Sequence, residues 1–244
     1  MVSLFFEMSS AVKYQLKRHP MVCPLFWFGR RGSDGQLLNV HAHTRLVIEG
    51  YPRSGNTAAV AAFAVANGGT EGVAHHLHAP AQVIAGCRQH IPTVVLVRHP
   101  FHAVSSLVLR HPQISLYRAL REYQFFYSTV RRWRHRLLLA RFETIIADYN
   151  RFNAVLNRRF HTDYQMLPLH SEVRRQIAEF VERVDRQDVT VGERHDPEMT
   201  KGSPSEARRL AKQRILTQLG DVDLQWDRRR ALRLYASLVR RADV

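Results

Sequence analysis

The sequence predicts an α/β fold, with a central parallel sheet, helices on both of its faces and a largely helical C-terminal half. Three observations lead there. Short apolar runs at 46–48, 93–97 and 137–140 lack the alternation of a half-exposed strand and match strands buried on both faces. Helical patterns separate them, as parallel neighbours require. Beyond residue 145 the chain shows helical periodicity almost throughout.

The elements follow in order. Residues 1–44 form an N-terminal extension of weak periodicity, with Pro20, Gly32 and Gly35 marking turns and a short helix expected over 9–18. Residues 46–48 give the first strand, and the turn 50–55 leads into an Ala-rich helix over 56–66 that stops at Asn67-Gly68-Gly69. A His-rich segment, 74–78, runs through Pro80 into a helix reaching Gln89. The β-branched run Thr93–Val97 is the second strand, and Pro100 opens a helix over 101–109. A long helix is expected over 115–135, with Leu116, Leu120, Tyr123, Phe126 and Val130 on one side, then a third strand at 137–140. The organisation is thus one domain, 1–244, made of the extension 1–44, a core 45–145 and a helical part 146–244.

Composition narrows the function classes. The 244 residues are 45% hydrophobic and 23% charged, enough for a sizeable core and unlike a disordered tail, a fibre or a stapled mini-protein. No apolar run reaches 18 residues, and Glu7 interrupts the N-terminal stretch where a signal peptide needs continuity. Cys23 and Cys87 are the only cysteines, which suits a reducing, cytoplasmic setting. The formal charge is +15, and only Lys13, Lys17, Lys201 and Lys212 are lysines. Between Arg98 and Arg141 there are nine arginines and one acid, Glu122. That field favours anionic partners, and arginine suits forked contacts with phosphate oxygens. Peripheral membrane contact through Phe5, Phe6, Phe26 and Trp27 is the less favoured reading of the N-terminal aromatics, which more simply pack on the domain.

The turn after the first strand carries the chemistry. Gly50-Tyr51-Pro52-Arg53-Ser54-Gly55-Asn56-Thr57 nearly fits the phosphate-binding pattern G-x-x-x-x-G-K-[ST] and lies between a strand and a helix, the context that pattern needs. Asn56 replaces the usual lysine, and Arg53 stands inside the loop. A metal-dependent NTPase also needs an acid at the end of a neighbouring strand. Thr93–Val97 ends in Arg98 instead. The expectation is a P-loop-like three-layer sandwich that binds an anionic nucleotide without a metal-bridged triphosphate.

These residues resemble the sulfotransferases that use 3′-phosphoadenosine 5′-phosphosulfate (PAPS). Tyr51 to Thr57 resembles their 5′-phosphosulfate loop, and Arg98 with Ser106, eight residues on, resembles their 3′-phosphate motif. The resemblance covers roughly 45–145. It implies that Arg53 contacts the phosphosulfate and takes part in catalysis, that Ser54, Gly55, Asn56 and Thr57 hydrogen-bond it, and that Arg98 and Ser106 hold the 3′-phosphate. Arg141-Phe142-Glu143 is similar to a family segment whose aromatic lies near the nucleotide, so Phe142 is expected to pack there. Lys201-Gly202 resembles a C-terminal basic loop over the 3′-phosphate. Ala58 departs from the common cytosolic members, which carry Trp at that position, and this leaves the acceptor class open.

Transfer of a sulfuryl group to a hydroxyl needs a base. His78 precedes Ala79-Pro80 and stands twenty residues before Arg98, the spacing of the base in the cytosolic members. His75, His76 and Glu71 are its rivals, and a zinc site in the three-His cluster is the minority reading. The leading expectation is an enzyme moving the sulfuryl group of PAPS to a hydroxyl or amine of a carbohydrate, lipid or small molecule, with no metal. The alternatives are a P-loop kinase and a basic nucleic-acid-binding module. The chain lacks a recognisable nucleic-acid-binding pattern, so no nucleic-acid partner is expected.

Overall fold

The computed structural model describes residue 16 and residues 37–168, 171–190, 206–220 and 222–244. Strands β1 (Leu46–Gly50), β2 (Val73–His75), β3 (Thr93–Val97) and β4 (Leu138–Arg141) form one parallel sheet in the order β2-β1-β3-β4. The helices are α1 (Asn56–Asn67), α2 (Pro80–Arg88), α3 (Pro100–Arg110), α4 (Leu116–Val130), α5 (Phe142–Ala147), α6 (Tyr149–Phe160), α7 (Ser171–Thr190), α8 (Glu206–Gln218) and α9 (Gln225–Val239).

The pleat sends alternate residues to two cores. Leu46, Ile48, Val94, Leu96, Leu138 and Ala140 pack with Ala59, Val60 and Phe63 of α1 and with Ile145, Phe152 and Leu156 of α5 and α6. Val95, Val97 and Leu139 pack on the other side with Val83 of α2, Ala103 and Leu107 of α3, Leu120 and Phe126 of α4, and Ala231 of α9. Both faces are therefore covered, as the apolar runs required. The N–H of Arg141 donates to the carbonyl of Val244, and that of Leu139 to the Asp243 carboxylate, so the last residues lie along β4.

Two expectations change. The helix over 115–135 ends at Val130 and continues as a 3-10 segment, Arg131–Arg136. Ser128 and Thr129 both turn their hydroxyls back to the carbonyl of Phe125, a bond that loosens helices, and the arginine-rich stretch that comes next repels itself. The segment 74–78 begins as a strand, β2, paired with β1 from Leu46↔Val73 to Ile48↔His75. At three residues it is too short to show an apolar run. The helix over 9–18 and the N-terminal aromatics lie outside the described residues, apart from Leu16. Among the described residues no helix is long and apolar enough to cross a membrane.

The direction of winding reverses within the sheet. From β1 the chain crosses to the β2 edge, and from β3 it crosses the other way to β4, so β1 and β3 flank the point of reversal. In open parallel sheets ligands bind in the crevice at the carboxyl ends of such a strand pair. Both motifs singled out in the sequence lie there, one after β1 and one after β3.

Candidate active site

The loop between β1 and α1 is built by backbone geometry that few residues tolerate. Gly55 stands at the N-cap of α1 with φ 95°, and an added Cβ would lie 2.7 Å from Cδ2 of Phe142, so only glycine fits. Arg53 also adopts a left-handed conformation, φ 64°. Among the described residues no side chain caps α1, and its first turn carries no acid, so the helix presents its N–H groups and positive dipole end at the loop.

The loop's other side chains are held from inside. Tyr127 of α4 donates its hydroxyl to the carbonyl of Leu96 at 2.7 Å, so Ser54 donates to Tyr127 across 3.2 Å. Ser54 also gives its N–H to the carbonyl of Tyr51 and is fully buried, so both of these donors shape the loop. Asn56, in the lysine position, gives its amide to the same Tyr51 carbonyl at 3.2 Å. Thr57 pairs its hydroxyl with His76 Nε2 at 3.0 Å. What the loop offers an anion is the helix N-terminus and the guanidinium of Arg53.

The two motifs meet. Arg98 Nη1 donates to the carbonyl of Arg53 at 2.8 Å, and Arg53 Nε donates to Ser106 Oγ at 3.2 Å. The guanidinium of Arg98 lies 4.0 Å from the centre of the Phe142 ring, the same ring that covers Gly55. Arg53, Gly55, Arg98, Ser106 and Phe142, drawn from three separate stretches of the chain, thus form one cluster. Tyr123 braces the second loop by donating to the carbonyl of Arg98 at 2.8 Å.

The electrostatics are those of an anion site. Lys212 of α8 is pushed down to about 8 by burial and then by the charges of Arg98, Arg208 and Arg53. Burial also lowers Arg98, which Glu143 partly offsets. Four cations brought together at a structural cost are a recognised mark of a binding site. Lys201 and Gly202, expected to supply the C-terminal basic contact, lie outside the described residues. Lys212 and Arg208, four residues apart and so on one face of α8, were missed by sequence reasoning. Their helical spacing was the signal that could have found them.

The candidate bases are separated by their surroundings. Glu71 is exposed in the turn before β2, at the amino ends of the strands and a strand's length from the loop. His75 is buried on β2, and burial followed by the charge of His78 pushes it down to about 4, so it stays neutral. His76 reaches Thr57 with one nitrogen and His75 with the other. His78 donates Nδ1–H to the carbonyl of Gly50 at 2.9 Å, which leaves Nε2 as its basic nitrogen. Its side chain, 26% exposed, borders a small cavity of about 20 Å³ lined by Tyr51, Pro52, Pro80, Glu122, Phe125 and Phe126. His75 and His76 thus pair with each other while His78 turns to Gly50, and among the described residues no group of three or more His, Cys, Asp or Glu could hold a metal ion.

No family model matches the chain, and a search of curated proteins returned no significant match.

Proposed function

We propose that the protein is a PAPS-dependent sulfotransferase of P-loop-like architecture, working in the cytoplasm without a metal. The observation that carries this reading is the Arg53–Ser106 and Arg98–Arg53 contact between two anion motifs at the switch point of a parallel sheet. The donor carries two separate phosphate positions, and the site gathers four cations that can be shared between them. Arg53 and the N-terminus of α1 suit the 5′-phosphosulfate. Arg98, Ser106, Lys212 and Arg208 suit the 3′-phosphate. Phe142 lies against Gly55 with Arg98 over its ring, and it is the aromatic that would pack beside the nucleotide.

His78 is the base of choice. The acceptor oxygen attacks sulfur, the bond from sulfur to the bridging phosphate oxygen breaks, and its electron pair leaves with adenosine 3′,5′-bisphosphate. The hydroxyl proton passes to Nε2 of His78, which Gly50 orients through Nδ1. Arg53 balances charge on the leaving phosphate.

The test is transfer of labelled sulfate from PAPS to a panel of hydroxyl acceptors, with and without EDTA. Turnover that survives EDTA and falls about 10²–10⁴-fold in His78→Ala, with bisphosphate affinity retained, supports the reading. Strict metal dependence, or full activity in His78→Ala, contradicts it.

A further inference from the structure

Glu49 is the one acid in the four described strands, fully buried at the end of β1. Four donors converge on it. Its Oε1 accepts the N–H of Leu77 at 2.8 Å and the Gln82 side-chain amide at 2.9 Å. Its Oε2 accepts the N–H of His78 at 3.0 Å and that of Gly50 at 3.4 Å. The segment it grips is unusual. His76 and His78 both have positive φ, 59° and 50°, a region that residues with a Cβ rarely enter. Two successive N–H groups in that segment end on one carboxyl, and Glu49 Oε2 lies 3.9 Å from Nδ1 of His78 itself.

We propose that Glu49 is the positioning residue for His78: it holds the left-handed turn at 76–78 so that Nδ1 meets the carbonyl of Gly50 and Nε2 is presented to the acceptor. This extends the reading of His78 as base and rests on it. Glu49 is completely shielded from solvent and so touches no substrate; it acts through the backbone of His78. The same carboxyl ties Gly50, the last residue of β1, to the His turn, so the phosphate loop and the base share one anchor. Burial pushes its carboxyl up to about 8, against the pull of its N–H donors, so the ionised form that accepts all four donors at once prevails above that pH.

Glu49→Gln tests this with little change of volume. The new amide nitrogen must face either His78 and Gly50 or Leu77 and Gln82, opposing donor to donor. Three measurements are made on the full chain at pH 9, above the Glu49 pKa of about 8, where the parent carboxyl is ionised and accepts all four donors: the tautomer of His78 by long-range proton–nitrogen correlation, bisphosphate affinity by calorimetry, and kcat with KM. The expected result is a His78 that no longer holds a single Nδ1–H form, a kcat lowered about 100-fold or more, and bisphosphate affinity within about threefold of the parent. Glu49→Asp, which keeps the acceptors on a shorter stem, is expected to recover part of kcat. An unchanged His78 tautomer in Glu49→Gln overturns the proposal. So does an equal fall in kcat, bisphosphate affinity and melting temperature, since that marks a structural role only. If the parent protein neither binds bisphosphate nor turns over PAPS, the sulfotransferase reading fails, while the tautomer comparison still decides whether Glu49 sets His78.

Discussion

Arg98 makes three distinct contacts: its guanidinium donates to Arg53, lies over Phe142, and its carbonyl is held by Tyr123. Arg98→Ala is predicted to weaken adenosine 3′,5′-bisphosphate by about 1.5–3 kcal/mol, the worth of a charge-assisted hydrogen bond, and to spare a nucleotide lacking the 3′-phosphate. Calorimetry with the two ligands checks this, and equal losses would place the role of Arg98 elsewhere. Lys212 adds a pH dependence. Its pKa of about 8 in the free protein must rise when an anion arrives beside it, so binding takes up a proton above pH 8. Bisphosphate affinity is therefore predicted to fall as pH rises through about 8, with Lys212→Met removing that fall. Titration in buffers of different ionisation enthalpy reads the proton directly.

At the scale of elements, α4 braces the site that β1 and β3 carry. Tyr127 links Ser54 to the carbonyl of Leu96, and Tyr123 holds the carbonyl of Arg98, so one helix fixes both loops from behind. Tyr127→Phe leaves two buried polar groups without that partner and is predicted to cost about 1–3 kcal/mol of stability in denaturant unfolding, with a looser phosphate loop. These braces mark the limit of what the sequence carries. The buried strands announced themselves as apolar runs because a parallel sheet covered on both faces leaves no polar side to alternate. The loop was legible because its glycines and arginine stand at fixed offsets, and Arg98 because it occupies the place of an acid. The roles of Tyr123 and Tyr127 were not, since a tyrosine on a helix stripe reads as core until its hydroxyl is seen to reach a loop. Glu49 fell just outside the strand expected at 46–48, and donors from separate segments had to be folded around it before it meant anything. The bond between Ser54 and Tyr127 was hidden for the same reason, because the two residues lie 73 positions apart.

For the whole molecule, the cost of building the site shows in its pH dependence. Glu49, raised from 4.5 to about 8, keeps a proton in the folded state that the unfolded chain has lost, so folding stability falls as pH rises from about 4.5 to 8 and levels off above. His75, lowered from 6.5 to about 4, acts oppositely: its neutral burial is favourable above 6.5 and is lost as pH falls toward 4. Burial also lowers His99 and His102, which act in that same lower range. Between pH 6.5 and 8 only the Glu49 effect remains among these groups. Denaturant unfolding across that window is predicted to show a declining stability in the parent and a flat one in Glu49→Gln. The same molecule concentrates positive charge at the crevice, where Arg53, Arg98, Arg208 and Lys212 gather, and this field favours the anions of every competing function, so the choice among them rests on the ligand. Titration of the full chain with adenosine 3′,5′-bisphosphate, with ATP plus Mg²⁺, and with a short oligonucleotide is the most direct test. The bisphosphate is predicted to bind most tightly and with the same affinity in EDTA. Tighter binding of ATP with Mg²⁺, or of the oligonucleotide, would contradict a PAPS site.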